Sequence, residues 1–403
     1  MIKSCGNLND KLYCRKVYKV AFATGSRADY GIVRHYLELL KNDVRIDLEI
    51  LVTGALLSNE YGHQVDLIYD DHFRIGVEIA VDIESSCNAN VIHSMAEVLD
   101  RFGGFFEKKR YDLLIILGDR YEMFSVATAA AIQRIPLLHI HGGEATYGNY
   151  DEFIRHSITK MSMFHFTATE EYRKRVIQLG EEPNRVFYLG ALGAENCREI
   201  DERNVPLCIK ELRNKKYYVV LFHPETLTGA SALSQVEEIL MAVKTIDDAF
   251  PVFIGSNADT HSDVIRNKIH EFTNSSANAC YYENLHTDAY HYLLKNAICL
   301  IGNSSSGIIE APSLGIYTVN IGERQSGRIR GNSVIDIECE AKQIVNAYNY
   351  TKQNTEKIIN PYYVEKSRYK YYRKTMEILQ LINTSPQSML KTFYDFGYSD
   401  YSL

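Results

Sequence analysis

Short runs of consecutive apolar residues, rich in Val, Ile and Leu, recur along the chain at Val17 to Thr24, Leu48 to Thr53, Leu113 to Leu117, Leu137 to Ile140, His165 to Thr169 and Val186 to Leu189. Each is separated from the next by a segment long enough for a helix. Such runs predict strands buried on both faces, and strands alternating with helices predict βαβ units around a parallel sheet. The pattern then starts again. Tyr218 to Phe222, Val252 to Ile254, Cys299 to Ile301 and Thr318 to Ile321 form a second series, with helical spacing at Ser234 to Ile246 and Thr287 to Lys295. So many strands exceed one open sheet of about 4 to 6 and predict an α/β protein of two doubly wound domains.

The polar stretch Cys197 to Lys216, carrying Asp201, Glu202, Asn204 and Pro206, interrupts the periodicity and marks the boundary. The expected division is therefore residues 1–200, residues 201–361 and a terminal segment 362–403. A second crossing between the domains falls near Asn360-Pro361, and Tyr362 to Ile382 reads as one long helix before a polar tail. Two α/β lobes set the carboxyl ends of their sheets face to face, and ligands bind beyond those ends.

Composition narrows the class. The 403 residues are 46% hydrophobic and 24% charged with 8 prolines, close to the globular average, so a disordered or fibrous chain is excluded. Lys and Arg total 44 against 51 Asp and Glu, a net charge of −7 without a basic block, which argues against a nucleic-acid partner and leaves room for a local cationic pocket. The eight cysteines are scattered with no C-x-x-C pair, as expected of free thiols in a reducing cytoplasm. No run approaches the ~20 apolar residues of a membrane span, and Met1 to Lys19 is too polar for a signal peptide. A cytoplasmic protein without a membrane partner is expected. Twenty-nine tyrosines and no tryptophan find no explanation in the sequence.

The loops after the strands carry the candidate chemistry. The first, Gly25-Ser26-Arg27-Ala28-Asp29-Tyr30-Gly31, has neither a dinucleotide G-x-G-x-x-G nor a Walker lysine, so NAD and ATP are disfavoured. Arg27 suits a phosphate, or is a solvated arginine on a plain turn. Asp119, in Gly118-Asp119-Arg120-Tyr121-Glu122, is a candidate catalytic base or, with Glu122 three residues on, a helix N-cap. In Leu137-Leu138-His139-Ile140-His141-Gly142-Gly143-Glu144, period two puts His139 and His141 on one face, and the glycines let a ligand approach the backbone. No third metal ligand follows the H-x-H pair, so no metal site is assigned. Asp151 and Arg155 lie four apart at the start of a helix and read as an i,i+4 ion pair or as site residues. In the second series, His223-Pro224-Glu225-Thr226, Ser256-Asn257-Ala258-Asp259 and Gly302-Asn303-Ser304-Ser305-Ser306-Gly307 end strands, the last opening a helix Ile308 to Leu314 whose hydroxyls and amides suit a diphosphate. Glu310 could reach ribose hydroxyls, and Arg324 is a candidate counter-ion.

Taken together, the first loop, the Gly118-Asp119-Arg120 turn, Gly142-Gly143-Glu144, Asp151 to Lys160 and Gly302 to Gly307 with Glu310 resemble the hydrolysing UDP-N-acetylglucosamine 2-epimerases, in particular the bacterial NeuC type that feeds sialic acid synthesis. The resemblance covers roughly residues 16 to 380 in matching order. It implies a glycosyltransferase-B-like pair of Rossmann-like lobes with the last helix returning to the first, UDP-N-acetylglucosamine as the small-molecule partner, no cofactor, and a homodimer or homotetramer. The acid/base residues it implies are Asp119 and Asp151, supported by Arg120, Arg155 and His156. It assigns the nucleotide sugar to Arg27, Asp29, His223, Asn257, Asp259, Ser304, Ser305, Ser306, Glu310 and Arg324. His141 stands where many relatives carry Glu, so either His141 or Glu144 does the work of that Glu. The G-T-R-P-E first loop of the non-hydrolysing enzymes is absent. Other readings kept open are a hydrolysing epimerase of UDP-2,4-diacetamido-2,4,6-trideoxyglucose, a glycosyltransferase and a silent nucleotide-sugar sensor.

Overall fold

A computed structural model describes residues 16–58, 63–82, 88–147, 150–224, 231–255, 262–276, 278–283, 285–385 and 390–395. The first sheet contains β1 (Tyr18–Thr24), β2 (Ile46–Thr53), β3 (Ile75–Ile79), β4 (Leu113–Leu117), β5 (Leu137–Ile140), β6 (Phe164–Thr167) and β7 (Val186–Tyr188), ordered β3-β2-β1-β4-β5-β6-β7. The second contains β8 (Tyr217–Leu221), β9 (Phe250–Ile254), β10 (Cys280–Tyr282), β11 (Cys299–Gly302), β12 (Tyr317–Ile321) and β13 (Val334–Ile337), ordered β10-β9-β8-β11-β12-β13. Every pairing is parallel. The fold is the pair of doubly wound α/β lobes the strand pattern implies, and the glycosyltransferase-B-like architecture the resemblance implies.

Alternation along each strand fills two cores at once. Val20, Phe22 and Ile115 pack on one face of the first sheet, while Ala21, Ala23, Leu114 and Ile116 pack on the other. The second sheet is covered on both faces in the same way. Strand order reverses between β1 and β4 in one lobe and between β8 and β11 in the other, so the loops after these strands diverge and leave a crevice. Arg27 and Asp119 stand at one crevice, His223 and Asn303 at the other.

The boundary stretch 197–216 holds a short helix, Leu207–Leu212, and sends Val205, Ile209 and Leu212 into the second lobe's core. The terminal helix runs Ser367–Thr384 rather than from Tyr362, which lies fully buried in the turn before it. That helix packs on the first lobe, where Tyr36 Oη meets Thr375 Oγ1 at 2.7 Å and Tyr371 Oη donates to Gly190 O at 2.8 Å. Buried rings with a hydroxyl that still finds a partner account for several of the many tyrosines. No described helix is long and apolar enough to cross a membrane.

Candidate active site

The first lobe brings three loops together around Arg155, on the second turn of the helix Asp151–Met161. Its side chain is fully buried. Nε donates to Asp119 Oδ2 at 2.8 Å, Nη1 to Glu144 O and Glu152 Oε2 at 2.8 Å each, and Nη2 to Thr146 Oγ1 at 2.6 Å. A planar fork with five donors satisfies four acceptors that no lysine could serve together. The i,i+4 reading is thereby corrected: Arg155 pairs with Asp119 and Glu152, and its hydrogen bonds do not go to Asp151. Glu152, missed in the sequence, also accepts from Thr146 N at 2.7 Å and meets His156 Nε2 at 3.1 Å.

Asp119 is not an N-cap either. Arg120 occupies the cap of the helix Tyr121–Ile132 without a side-chain capping bond, and Asp119 turns to Arg155 instead. Burial opposes the charge on Asp119, but the Arg155 guanidinium, with Arg328, outweighs it and holds the carboxyl below its usual range. Asp151, in the first turn of its helix, goes the other way. Burial and the Asp119 charge push it up to about 7 against the pull of Arg120, Arg155 and Arg324. Two neighbouring carboxyls with opposite shifts are the pattern of an acid and a base sharing one site.

His139 and His141 part company. His139, inside β5, is fully buried, with Nε2 donating to Gly118 O at 2.8 Å and Nδ1 3.1 Å from Thr159 Oγ1. Burial lowers it to about 3, so it is a neutral residue that anchors the turn before Asp119. The strand ends at Ile140, and His141 follows at φ 67°, so the period-two face does not extend to it. His141 Nδ1 lies at an ion-pair distance of 3.3 Å from Glu144 Oε1, and among the described residues neither that oxygen nor the buried His141 Nε2 has a hydrogen-bond partner. Burial lowers its pKa, against the Glu144 charge. The glycines between them serve packing rather than ligand approach. A Cβ on Gly143, at φ +81°, would sit 2.4 Å from Tyr172 O, and one on Gly142 3.0 Å from Thr159 Oγ1.

Around this cluster, Arg120 forks onto the buried Glu122 at 2.9 and 3.2 Å. Burial, opposed by Arg120, raises Asp29 to about 6, and burial lowers Arg27. In the second lobe Asn303, quoted in the sequence without a role, ties three loops together. Its side chain bonds His223 N and O at 2.8 Å each, and its carbonyl accepts from Arg324 Nη1 at 3.1 Å and Gln325 Nε2 at 2.8 Å.

The serine segment differs from the expected helix. Only one α-turn, Ser306–Ile309, forms before a 3₁₀ turn, Ala311–Leu314, so the long dipole expected over Ile308 to Leu314 is absent. Ser305 is the cap without a side-chain bond, Ser304 Oγ accepts from Ser306 N at 3.4 Å, and Ser306 Oγ meets Tyr290 Oη at 2.7 Å. Glu310 faces the junction of the lobes, 3.5 Å from His291 Nε2 and against Gly193. Asn257 and Asp259 lie outside the described residues.

The sequence reading also missed Arg328, whose Nη1 crosses from the second lobe to Glu144 Oε2 at 2.6 Å. The signal available was the continuation of Gly322-Glu323-Arg324-Gln325 into Ser326-Gly327-Arg328, a third arginine loop beside two carboxylate loops.

A protein from Escherichia coli, polysialic acid biosynthesis protein P7, is 44% identical over 388 residues, 94% of this chain and 97% of its own. The GDP/UDP-N,N'-diacetylbacillosamine 2-epimerase (hydrolyzing) of Campylobacter jejuni is 35% identical, over 79% of this chain and 84% of its own. The crystal structure of UDP-GlcNAc 2-epimerase from Neisseria meningitidis bound to UDP-GlcNAc has the same fold, with a TM-score of 0.73 at 17% identity over 89% of this chain and 100% of that one. The family model described as UDP-N-acetylglucosamine 2-epimerase matches residues 38–376, and the chain belongs to that family.

Proposed function

We propose that the protein hydrolyses UDP-N-acetylglucosamine with inversion at C2, releasing UDP and N-acetylmannosamine for sialic acid synthesis. The observation that carries the reading is the opposite shift of Asp119 and Asp151 beside a buried His141 whose Nε2 has no hydrogen-bond partner among the described residues. The 44% identity to a polysialic acid biosynthesis protein supports the pathway.

The chemistry requires such a set. No carbonyl acidifies the C2 hydrogen, so it leaves as a proton only while the C1–O bond to UDP breaks and positive charge develops at C1. In the α-linked sugar that hydrogen and the leaving oxygen are antiperiplanar, which places the base on the face opposite UDP. Neutral His141 takes the proton, ionised Asp119 offsets the charge at C1, and 2-acetamidoglucal forms. Water then adds at C1 while C2 receives a proton on the other face. Asp151 holds a proton near neutrality and supplies it. Arg27, Asp29 and Arg120 line the first lobe's side, and His223, Ser304, Ser305, Ser306, Glu310 and Arg324 the nucleotide side, where cations and hydroxyls compensate the leaving diphosphate.

Incubation with UDP-N-acetylglucosamine in D₂O, followed by NMR, tests this. One deuterium at C2 of free N-acetylmannosamine is expected without any acceptor; product lacking it excludes the glycal, and no free sugar excludes the reading. A second substrate is favoured by the 35% identity to a diacetylbacillosamine epimerase, and the same assay with UDP-N,N'-diacetylbacillosamine decides between them. A closed homo-oligomer, dimer or tetramer, fits the exposed apolar side chains Ile92, Ile132 and Phe153 on first-lobe helices and is tested by light scattering.

A further inference from the structure

The segment 322–330 touches both halves of the site. At one end Arg324 and Gln325 hold Asn303 O, at the nucleotide side. At the other, Arg328 reaches Glu144 across the cleft. Between them Gly327, at φ +85°, lies so close to the first lobe that a Cβ would stand 2.6 Å from Tyr147 Cε2 and 2.9 Å from Ala145 Cβ. Only glycine fits that backbone and that approach. The loop touched is the one running from His141 towards Asp151.

The segment is stiffened from behind. Ile329 N donates to Tyr172 Oη at 3.0 Å and Ile329 O accepts from Tyr362 Oη at 2.9 Å, with the two hydroxyls 2.8 Å apart. Arg330 donates to Arg328 O at 2.8 Å and Gln325 O at 3.1 Å. Arg328 therefore presents its guanidinium from a fixed backbone, and both it and Glu144 are nearly enclosed, with side-chain exposures of 11% and 4%.

We propose that Arg328 of the second lobe is a positioning residue for the first lobe's His141–Glu144 pair, so that the acid/base site is complete only with segment 322–330 docked. The inference rests on the role given to His141 above. Glu144 has one oxygen bonded to Arg328 and the other 3.3 Å from His141 Nδ1, an ion-pair distance without a hydrogen bond, so Arg328 sets the position of the carboxylate charge that the imidazole faces. A nucleotide that engages Arg324 and Asn303 would thereby be sensed at His141 through one short segment.

Four charged groups face His141: Glu144 on its own loop, Arg328 from the second lobe, Asp119 after β4 and Arg155 on the helix Asp151–Met161. The two carboxylates favour its protonated form and the two arginines disfavour it. Loss of Arg328 therefore moves the His141 titration to higher pH. A merely structural role would weaken the fold without moving it.

The test is ¹³C-histidine NMR titration of the intact chain, with His141 assigned by its loss in His141→Ala, beside steady-state kinetics. In Arg328→Gln the His141 midpoint should rise, kcat should fall about 10 to 100 fold, the usual cost of losing such a support, and inhibition by UDP should change far less. Arg328→Lys, which keeps the charge and loses the fork, should hold the midpoint near wild type and restore part of kcat. Arg328→Met fills the space without charge and replaces the Gln variant should that fail to fold. An unmoved His141 midpoint in the uncharged variant overturns the proposal. Failure of the wild type to release N-acetylmannosamine would remove the proposed function and leave the titration to decide this one.

Discussion

Arg155 and Asp119 meet across 36 residues of sequence, Nε to Oδ2 at 2.8 Å, with the guanidinium completely enclosed and the carboxylate partly open to the cleft. The arginine thereby fixes both the charge and the direction of the carboxylate proposed to offset the charge at C1. Asp119→Asn keeps the shape and removes the charge. It should lower kcat by about 10² to 10⁴ fold, the range of an acid/base or charge-stabilising group. Stability should fall by only about 1 to 2 kcal/mol, because Arg155 keeps its bonds to Glu144 O, Glu152 and Thr146. Urea unfolding and initial rates measure the two effects, and a loss of stability that matches the loss of rate would make the pair a structural one.

How far the sequence foretells such pairs depends on distance along the chain and on burial. Runs such as Leu113 to Leu117 announce their strands because both faces are covered and every residue is apolar. The strands that left no such mark, β3, β10 and β13, are all sheet edges with half-buried side chains. Their signal is diluted by the face that meets water. At the site, the residue types were legible from the loops, but their pairings were not. Asp151 is the local candidate for Arg155, yet the acceptor is Asp119, and Glu144 is met by Arg328 from 184 residues away. The glycines at 142 and 143 look the same in sequence whether a ligand or Tyr172 fills the space of the missing Cβ.

Asp151 also makes stability depend on pH. Its pKa rises from 3.8 to about 7 on folding, so between those values the native protein holds a proton that the unfolded chain releases. Stability from this group is therefore lost as pH rises from about 4 to 7, and Asp29, raised to about 6, acts in the same direction. Asp151→Asn removes that dependence and should gain on wild type between pH 5 and 8 in urea midpoints. Parallel curves for the two proteins would mean that Asp151 is ionised in the native state. The same substitution should abolish reprotonation at C2.

Gly143→Ala tests the packing of the loop that joins His141 to Glu144. Its φ of +81° disfavours any side chain, and the added Cβ would meet a backbone carbonyl, Tyr172 O, at 2.4 Å, which cannot rotate away. A destabilisation of about 2 to 4 kcal/mol is expected from strain and overlap together. Because the loop joins His141 to Glu144, kcat should fall more than the affinity for UDP. A fully stable variant would show that the helix Glu170–Gln178 yields, and that the loop is less fixed than its contacts indicate.

The histidine in place of a glutamate is the sharpest test of the site. Glu144 is engaged by Arg328 and places its charge 3.3 Å from His141 Nδ1, and Nε2, without a hydrogen-bond partner among the described residues, remains for proton transfer. His141→Ala should lower kcat by about 10² to 10⁴ fold with little change in KM, since the proposed contacts to the leaving nucleotide lie on the other lobe. His141→Glu should recover part of that rate. Burial lowers the histidine's pKa, so the wild-type rate should stay high below neutrality and fall only as His141 becomes protonated. Glu144→Gln keeps the shape beside Nδ1 but removes the charge, leaving Arg328 facing the ring uncompensated. The His141 midpoint should then move to still lower pH, with a smaller loss of kcat than in His141→Ala. Near-normal kcat in His141→Ala together with complete loss in Glu144→Gln would transfer the proton to Glu144, and the free Nε2 would have no catalytic part.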